Sequence, residues 1–279
     1  MTTNNIQYLL SCARQKLAGN PSASIDAEVL LAHVLETGRS FLYANPELDL
    51  PRNRTVAFKR LVAQRAQGHP IAYLTGSCEF WSLQLDVNPA VLIPRPETEL
   101  LVEAALSKIP PGAGWRIADL GTGSGAIALA LASEHRRCEI HATDISETAL
   151  DVARGNAARL GFSQLRFHRG CWAEPLDGGF ELIVSNPPYV DDDDPHLERG
   201  DLRFEPLVAL TPGADGLAAI REIIHSTRPW LVPGGWLMFE HGWKQGPASR
   251  RILKEDGFTN IGTFQDLQGH DRVTVGKSD

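Results

Sequence analysis

The run Ile117–Ala132, IADLGTGSGAIALALA, constrains the chain more than any other stretch. An apolar strand pattern leads into glycines at 121, 123 and 125, and a continuous apolar run follows. Glycine adopts positive φ without strain, so the backbone can turn tightly here and come close to a ligand. The helix that follows presents its N-terminus to whatever lies against the loop. Strand, glycine turn and helix in this order make the βα unit of a parallel sheet.

The alternation continues on both sides. Pro96 suits a first helical turn that runs on to Leu106. After WRIADLG (115–121) come a helix over 125–134, CEIHATD (138–144), and a helix capped by Ser146 and ended by Gly161. LRFHRG (165–170), FELIVSN (180–186), a helix over 217–226 and GGWLMFEH (234–241) follow, and FTNIGTFQD and DRVTVGK close the chain as two short strands. This order predicts an α/β fold with a doubly wound, Rossmann-like, mostly parallel sheet and an antiparallel edge hairpin.

The first eighty residues contain no convincing strand. Ile6, Leu9, Leu10, Ala13 and Leu17 recur at helical spacing before Gly19-Asn20-Pro21. Ser24 is the expected cap of a second helix that ends at Gly38, and a third, over 55–67, places Val56, Leu61 and Val62 near one face. Loosely alternating residues around Asn88-Pro89 suggest a hairpin. The expected division is a small N-terminal helical domain over 1–75, a β-hairpin linker over 76–95 and the sheet domain over 96–279.

Composition sets limits on function. No apolar run approaches the roughly 18 residues of a membrane span, and the N-terminus has no secretory pattern. Four scattered cysteines form no CxxC pair and suit a reducing compartment, so a cytoplasmic location and no metal site are expected. Net charge is −7; residues 1–80 hold eight Lys/Arg against six Asp/Glu, leaving −9 for the rest. An acidic sheet domain argues against direct binding of nucleic acid by its phosphates. No unpaired sheet edge or spare apolar stripe stands out, and a monomer is expected.

The glycine loop has two interpretations from its residues. Gly121-x-Gly123-x-x-Ala126 with Asp144 at the end of the next strand fits a dinucleotide site, in which Asp144 accepts hydrogen bonds from a ribose. Asp119 and a glycine at every second position also give DxGxGxG, which resembles motif I of S-adenosylmethionine-dependent methyltransferases.

Asn186-Pro187-Pro188-Tyr189 ends a buried strand with a rigid turn, because proline cannot continue a ladder. In a doubly wound sheet, ligands bind beyond the carboxyl ends of the strands, where this turn and the glycine loop both lie. A nitrogen conjugated to a planar π-system is a poor nucleophile. The Asn186 side-chain oxygen and the Pro187 carbonyl can accept its two N–H groups, and Tyr189 offers a flat apolar face. The turn therefore fits methylation of adenine, cytosine or guanine amino groups, or of a glutamine amide. A non-enzymatic nucleotide- or NAD-binding regulator is the third class.

Four further segments narrow the choice by resemblance. PIAYLTG (70–76), EFW (79–81), VLIPRPETE (91–99), the glycine loop with SNPPY, and FEP…AL…GADGL (204–217) stand in the order found in the HemK/PrmC family. These are peptide chain release factor N5-glutamine methyltransferases, and the likeness runs from about residue 1 to 277. It implies S-adenosylmethionine as cofactor, S-adenosylhomocysteine as product, and a release factor's Gly-Gly-Gln loop as the acceptor. It also implies cofactor contacts at Gly121, Thr122, Gly123, Ser124, Gly125, Asp144, Trp172 and Asn186. Substrate contacts fall on Asn186, Pro187, Pro188 and Tyr189, with Asn186 and Pro187 catalytic. Arg95 and Glu97 would line the cofactor side.

Overall fold

The glycine stretch begins at the end of strand β3 (Arg116–Leu120), and the neighbours of that strand follow from its burial. Its residues after Arg116 are buried without alternation, as a strand covered by helices on both faces requires. The computed structural model describes residues 4–195, 197, 200–212 and 216–279.

The chain divides into two units, one of residues 1–77 with 199–204 and one of 78–198 with 205–279. In the first, α1 (Ile6–Lys16), α2 (Ala23–Leu35), α3 (Arg39–Ala44), α4 (Arg52–Ala66) and α5 (Ile71–Thr75) pack around Ile6, Leu9, Leu30, Leu31, Phe58 and Val62. Arg65 joins Asp26 at 2.6 Å and Asp201 at 2.8 Å, which places 200–204 in this unit.

Three local expectations change. Ser24 lies inside α2; the chain enters through Ser22, whose hydroxyl bonds to Asn20 at 2.9 Å. Glu36, with φ 57°, ends that helix, while Gly38 starts α3. On α4 the buried face is Thr55, Phe58 and Val62, and Val56 is exposed. The ring of Phe58 carries far more apolar area than Val56, and it decides which face turns inward.

In the second unit β1 (Ser77–Phe80) and β2 (Leu83–Asp86) form a hairpin. Its turn is Trp81-Ser82 rather than the neighbourhood of Asn88-Pro89. Both turn residues have positive φ, 52° and 57°, a conformation usually left to Asn and Gly. Two hydrogen bonds hold it: Trp81 N donates to Glu99 and Trp81 Nε1 to Glu134, each at 2.8 Å. Asn88 instead makes a local turn, accepting from Ala90 N. Phe80 and Leu85 of the hairpin are buried in the sheet core.

A 3-10 turn (Pro96–Thr98) leads into α6 (Glu99–Leu106), and then β3 (Arg116–Leu120), α7 (Ala126–Glu134), β4 (Glu139–Asp144), α8 (Glu147–Leu160), β5 (Arg166–Arg169) and β6 (Phe180–Ser185) alternate. After α9 (Ala218–Thr227) come β7 (Leu231–Glu240), α10 (Gly246–Glu255), β8 (Thr259–Gln265) and β9 (Asp271–Lys277). The seven-stranded sheet has the order β5-β4-β3-β6-β7-β9-β8. β9 is antiparallel to both neighbours and the other pairings are parallel. Helix α10 has no counterpart in the sequence pattern, because Leu253 is its only large buried apolar residue.

The order reverses between β3 and β6: from β3 the chain moves outward through β4 and β5, then returns to β6 on the other side. Leu120 pairs with Ser185, so the next residues, Gly121 and Asn186, leave adjacent strand ends at the switch point.

Candidate functional site

The glycine loop is held by its own backbone. Gly121 N and Thr122 N both donate to the Thr143 carbonyl at 2.9 Å, Gly125 N to the Thr122 carbonyl, and Gly123 N to Asp144 Oδ2. Gly121, Gly123 and Gly125 have φ of 71°, 56° and 85°, which a side chain would resist. A Cβ on Gly121 would stand 3.4 Å from the Trp172 ring, whereas one on Gly123 would meet open space.

Asp119 lies beneath the loop with no solvent exposure. Its Oδ2 accepts from Thr122 Oγ1 at 2.6 Å and from Ala128 N at 3.2 Å, while Oδ1 has no partner. Burial pushes this carboxyl up to about 7, against the two hydrogen bonds that favour its charge. Asp144 ends β4 half-buried, and its oxygens accept from Gly123 N and Ser146 N, both at 2.9 Å. Burial raises it too, and the backbone N–H groups oppose the rise. Each oxygen keeps a second lone pair for a ligand hydroxyl.

Trp172 follows β5 with φ 46°, an uncommon conformation for so bulky a residue. Its Nε1 donates to Glu222 on α9 at 2.9 Å, and its carbonyl accepts from Thr143 Oγ1 at 2.8 Å. The ring is thereby fixed beside Gly121. Asn156 on α8, fully buried, donates to the Ser124 carbonyl at 3.0 Å and accepts from Asp86 N at 2.7 Å, joining the loop to the hairpin.

A cavity of about 560 Å³ opens over this floor. Its wall includes Gly121, Gly123, Asp144, Trp172, Asn186 and Pro188. Ala90–Leu92, Ile145 and the segment around Pro206–Thr211 complete it. Its size is within the usual range for a small-molecule site. An open space beside two side-chain-free positions, with a ring on one side and a carboxylate oriented by backbone N–H groups, suits a nucleoside-bearing cofactor. Thr122, Ser124, Gly125, Pro187 and Tyr189 are not on the wall. Thr122 and Ser124 are buried beneath the loop and Gly125 starts α7, so these three shape the floor.

At the end of β6, Asn186 Nδ2 donates to Thr98 Oγ1 at 3.0 Å. Pro187 is buried and Tyr189 half-buried. The Tyr189 hydroxyl donates to Glu240 Oε1 at 3.0 Å, and its carbonyl accepts from Gln245 Nε2 at 3.1 Å. Burial raises the Tyr189 phenol well above its ordinary range, and the Glu240 charge adds to this.

Of the other polar residues near these strand ends, Arg95 and Glu97 are not on the cavity wall. Arg95 pairs with buried Glu205 at 2.5 Å, which joins the PRPETE and FEP segments, while Glu97 is exposed. His241 is buried; its Nδ1 donates to the Gly242 carbonyl and its Nε2 accepts from Thr274 Oγ1, so it serves the core. Among the described residues no group of three or more His, Cys, Asp or Glu is placed to hold a metal ion. No described helix is long and apolar enough to cross a membrane.

Comparison with known proteins agrees with this geometry. Residues 8–76 match the PrmC N-terminal domain and residues 96–200 the methyltransferase small domain. The release factor glutamine methyltransferase of Xylella fastidiosa (strain 9a5c) is 50% identical over 254 residues, 91% of this chain and 92% of that protein. The one from Escherichia coli (strain K12) is 47% identical over 272 residues, 97% of this chain and 98% of its own. A methyltransferase structure from Pyrococcus furiosus, 17% identical, superposes with a TM-score of 0.54 over 81% of this chain and 98% of that one, which shows a shared fold. With half its residues shared over nearly the whole length of such relatives, the chain belongs to the release factor glutamine methyltransferase family.

Proposed function

We propose that this protein transfers a methyl group from S-adenosylmethionine to the side-chain amide nitrogen (N5) of the glutamine in the Gly-Gly-Gln loop of peptide chain release factors, and releases S-adenosylhomocysteine. The observation that carries this is the meeting of the cavity and the Asn186 turn at one switch point, in a chain of this family. When bound, the cofactor supplies an electrophilic methyl on a sulfonium.

The chain's own residues do the rest. Gly121 to Gly125 keep the floor of the cavity free of side chains, Asp144 accepts from ribose hydroxyls, and Trp172 gives the adenine ring an apolar face. Asn186 borders the same cavity and takes part in both halves of the site. Its Nδ2 is engaged with Thr98, so Oδ1 is the atom that accepts one amide N–H of the substrate. The Pro187 carbonyl accepts the other, in a direction that the two prolines fix in advance. Pro188 and Tyr189 support the planar amide. With both N–H groups held, the nitrogen lone pair can be aimed at the methyl. The methylated amide is cationic at first and strongly acidic, and gives its proton to water without a dedicated base.

Residues 1–75 are proposed as the substrate-recognition domain, 76–95 as a linker and 96–279 as the transfer domain. The protein is proposed to act in the cytoplasm as a monomer without direct nucleic acid contact. Incubation with labelled S-adenosylmethionine and a release factor should label the factor, and its Gln→Ala loop variant should stay unlabelled. Label on that variant, or on DNA or RNA in its place, would overturn the acceptor assignment.

A further inference from the structure

The Gln245 side chain, half-buried at the residue before α10, meets backbone groups from three segments. Its Nε2 donates to the Tyr189 and Gly216 carbonyls, each at 3.1 Å, and its Oε1 accepts from Gly242 N at 2.8 Å. Only one orientation of the amide serves all three, because a carbonyl only accepts and a backbone N–H only donates. The backbone of Gln245 is held as well: its N donates to the Gly242 carbonyl at 2.8 Å, and its carbonyl accepts from Ser249 N at 2.9 Å. Two glycines make the room. A Cβ on Gly216, whose φ is 61°, would stand 2.6 Å from Gln245 Nε2 and 2.8 Å from the Tyr189 carbonyl oxygen. One on Gly242 would stand 3.1 Å from Gln245 Oε1. The segments joined are the far end of the acceptor turn, the stretch before α9 and the loop after β7.

The acceptor turn needs an anchor of this kind. At its near end Ser185 pairs with Leu120 and Phe239 in the sheet. Pro187 and Pro188 have no N–H to bond onward, and their rings fix φ but not ψ. Pro188 also confines ψ of Pro187, which leaves ψ of Pro188 and the Tyr189 torsions to be set from the far end. There Gln245 holds the Tyr189 carbonyl, and Val190 N donates to the Leu210 carbonyl at 3.0 Å. Gly242 lies beside the Tyr189 ring, where a Cβ would be 3.7 Å from Cδ2. Gln245 itself is not on the cavity wall, so it bears on the turn and not on the cofactor. We infer that Gln245 is a positioning residue whose amide, locked between Gly216 and Gly242, clamps the Tyr189 peptide and so fixes the Pro187 carbonyl and the Tyr189 ring for the acceptor amide.

This rests on the proposed function for its consequence in turnover, but the clamp can be read without it. Tyr189-Val190 is the only Tyr-Val pair in the sequence. Protein carrying 13C in its tyrosine carbonyls and 15N in its valines therefore gives one carbonyl–amide correlation, which reports on the Tyr189 carbonyl. Gln245→Met keeps the length of the side chain and removes both donors. Gln245→Glu keeps the acceptor for Gly242 N and donates only when protonated, a state that two facing carbonyl oxygens favour. The signal should move in both variants. In Gln245→Glu alone it should return toward the wild-type position as pH falls from about 7 to about 5. In the transfer assay both variants should lower kcat about tenfold at neutral pH, with Kd for S-adenosylhomocysteine within about threefold. The Gln245→Glu rate, relative to wild type at each pH, should rise as pH falls over the same window, and the Gln245→Met rate should not. A signal unmoved in both variants overturns the inference, as does a kcat loss matched by an equal loss of cofactor affinity, or one pH profile shared by both variants. Should either variant fail to fold, the other, compared with wild type in signal, kcat and Kd, decides the question. A wild-type protein that labels no release factor, with the carbonyl signal moving as described, removes the acceptor assignment and leaves the clamp intact.

Discussion

Asp119 and Glu240 are both buried carboxyls at the carboxyl ends of sheet strands, and each has one oxygen without a partner. They differ in where their other oxygen goes. Asp119 serves Thr122 and Ala128, three and nine residues along the same loop and helix. Glu240 serves Tyr189, fifty-one residues away. The Asp119 hydrogen bonds beneath the glycine loop are therefore local, while those that hold the acceptor turn are long-range. A local device fixes a shape by itself, whereas a long-range one exists only when the whole sheet is in register.

The contrast can be broken most forcefully at Asn186. Asn186→Ala removes an acceptor used in the transition state, so kcat should fall about 10²- to 10³-fold with little change in cofactor affinity. Equal loss of both would mean that the two sides are one structural unit. Calorimetry with S-adenosylhomocysteine beside steady-state kinetics distinguishes the cases.

Asp119 tests the local side through pH. Its folded pKa of about 7 lies above the ordinary 3.8, so the folded chain keeps a proton that the unfolded chain has released. Stability attributable to this group falls as pH rises from about 4 to about 7, at up to ~1.36 kcal/mol per pH unit. Asp119→Asn keeps an acceptor for Thr122 and Ala128 but does not titrate. Thermal melts across this window should show the wild type losing stability relative to the variant by an amount on the order of 3 kcal/mol. Parallel curves would remove Asp119 as the source.

Two smaller effects sharpen the picture. Asp144→Ala should weaken S-adenosylhomocysteine binding about 10- to 100-fold, as expected for loss of a charged acceptor, and leave kcat at saturation within a few-fold. A kcat loss without an affinity loss would move Asp144 to the acceptor side. Ser146 caps α8 with Oγ accepting from Ala149 N at 3.2 Å. Ser146→Ala should cost about 1 kcal/mol of stability in a denaturant melt, with no change in turnover. A change in kcat would tie the cap to Asp144 more closely than its backbone contact implies.

The same contrast explains what the sequence revealed. Strand, glycine loop and helix are contiguous, and their periodicity alone placed β3, α7, β4 and α8. Pro187 and Pro188 marked the end of β6 for the same reason. Thr98, Asn156 and Glu205 escaped, because each acts on a partner more than thirty residues away and nothing in its own neighbourhood announces it, and Glu240 stood out only by its place at a strand end. The Trp81-Ser82 turn escaped because its strain is relieved by Glu99 and Glu134 rather than by turn residues. Val56 was placed inward by spacing, but Phe58 decided the face. PRPETE was conspicuous as a family segment; its physical role became visible only when Arg95 met Glu205 and Thr98 met Asn186.

The proposed transfer takes place at one site, where β3 and β6 end, on an amide nitrogen held by Asn186. Peptide mass spectrometry of a release factor incubated with S-adenosylmethionine and either wild-type protein or Asn186→Ala tests it most directly. One methyl group is expected on the glutamine of the Gly-Gly-Gln loop with the wild type, and almost none with a variant that still binds S-adenosylhomocysteine. A methyl group elsewhere, or full modification by Asn186→Ala, would contradict it.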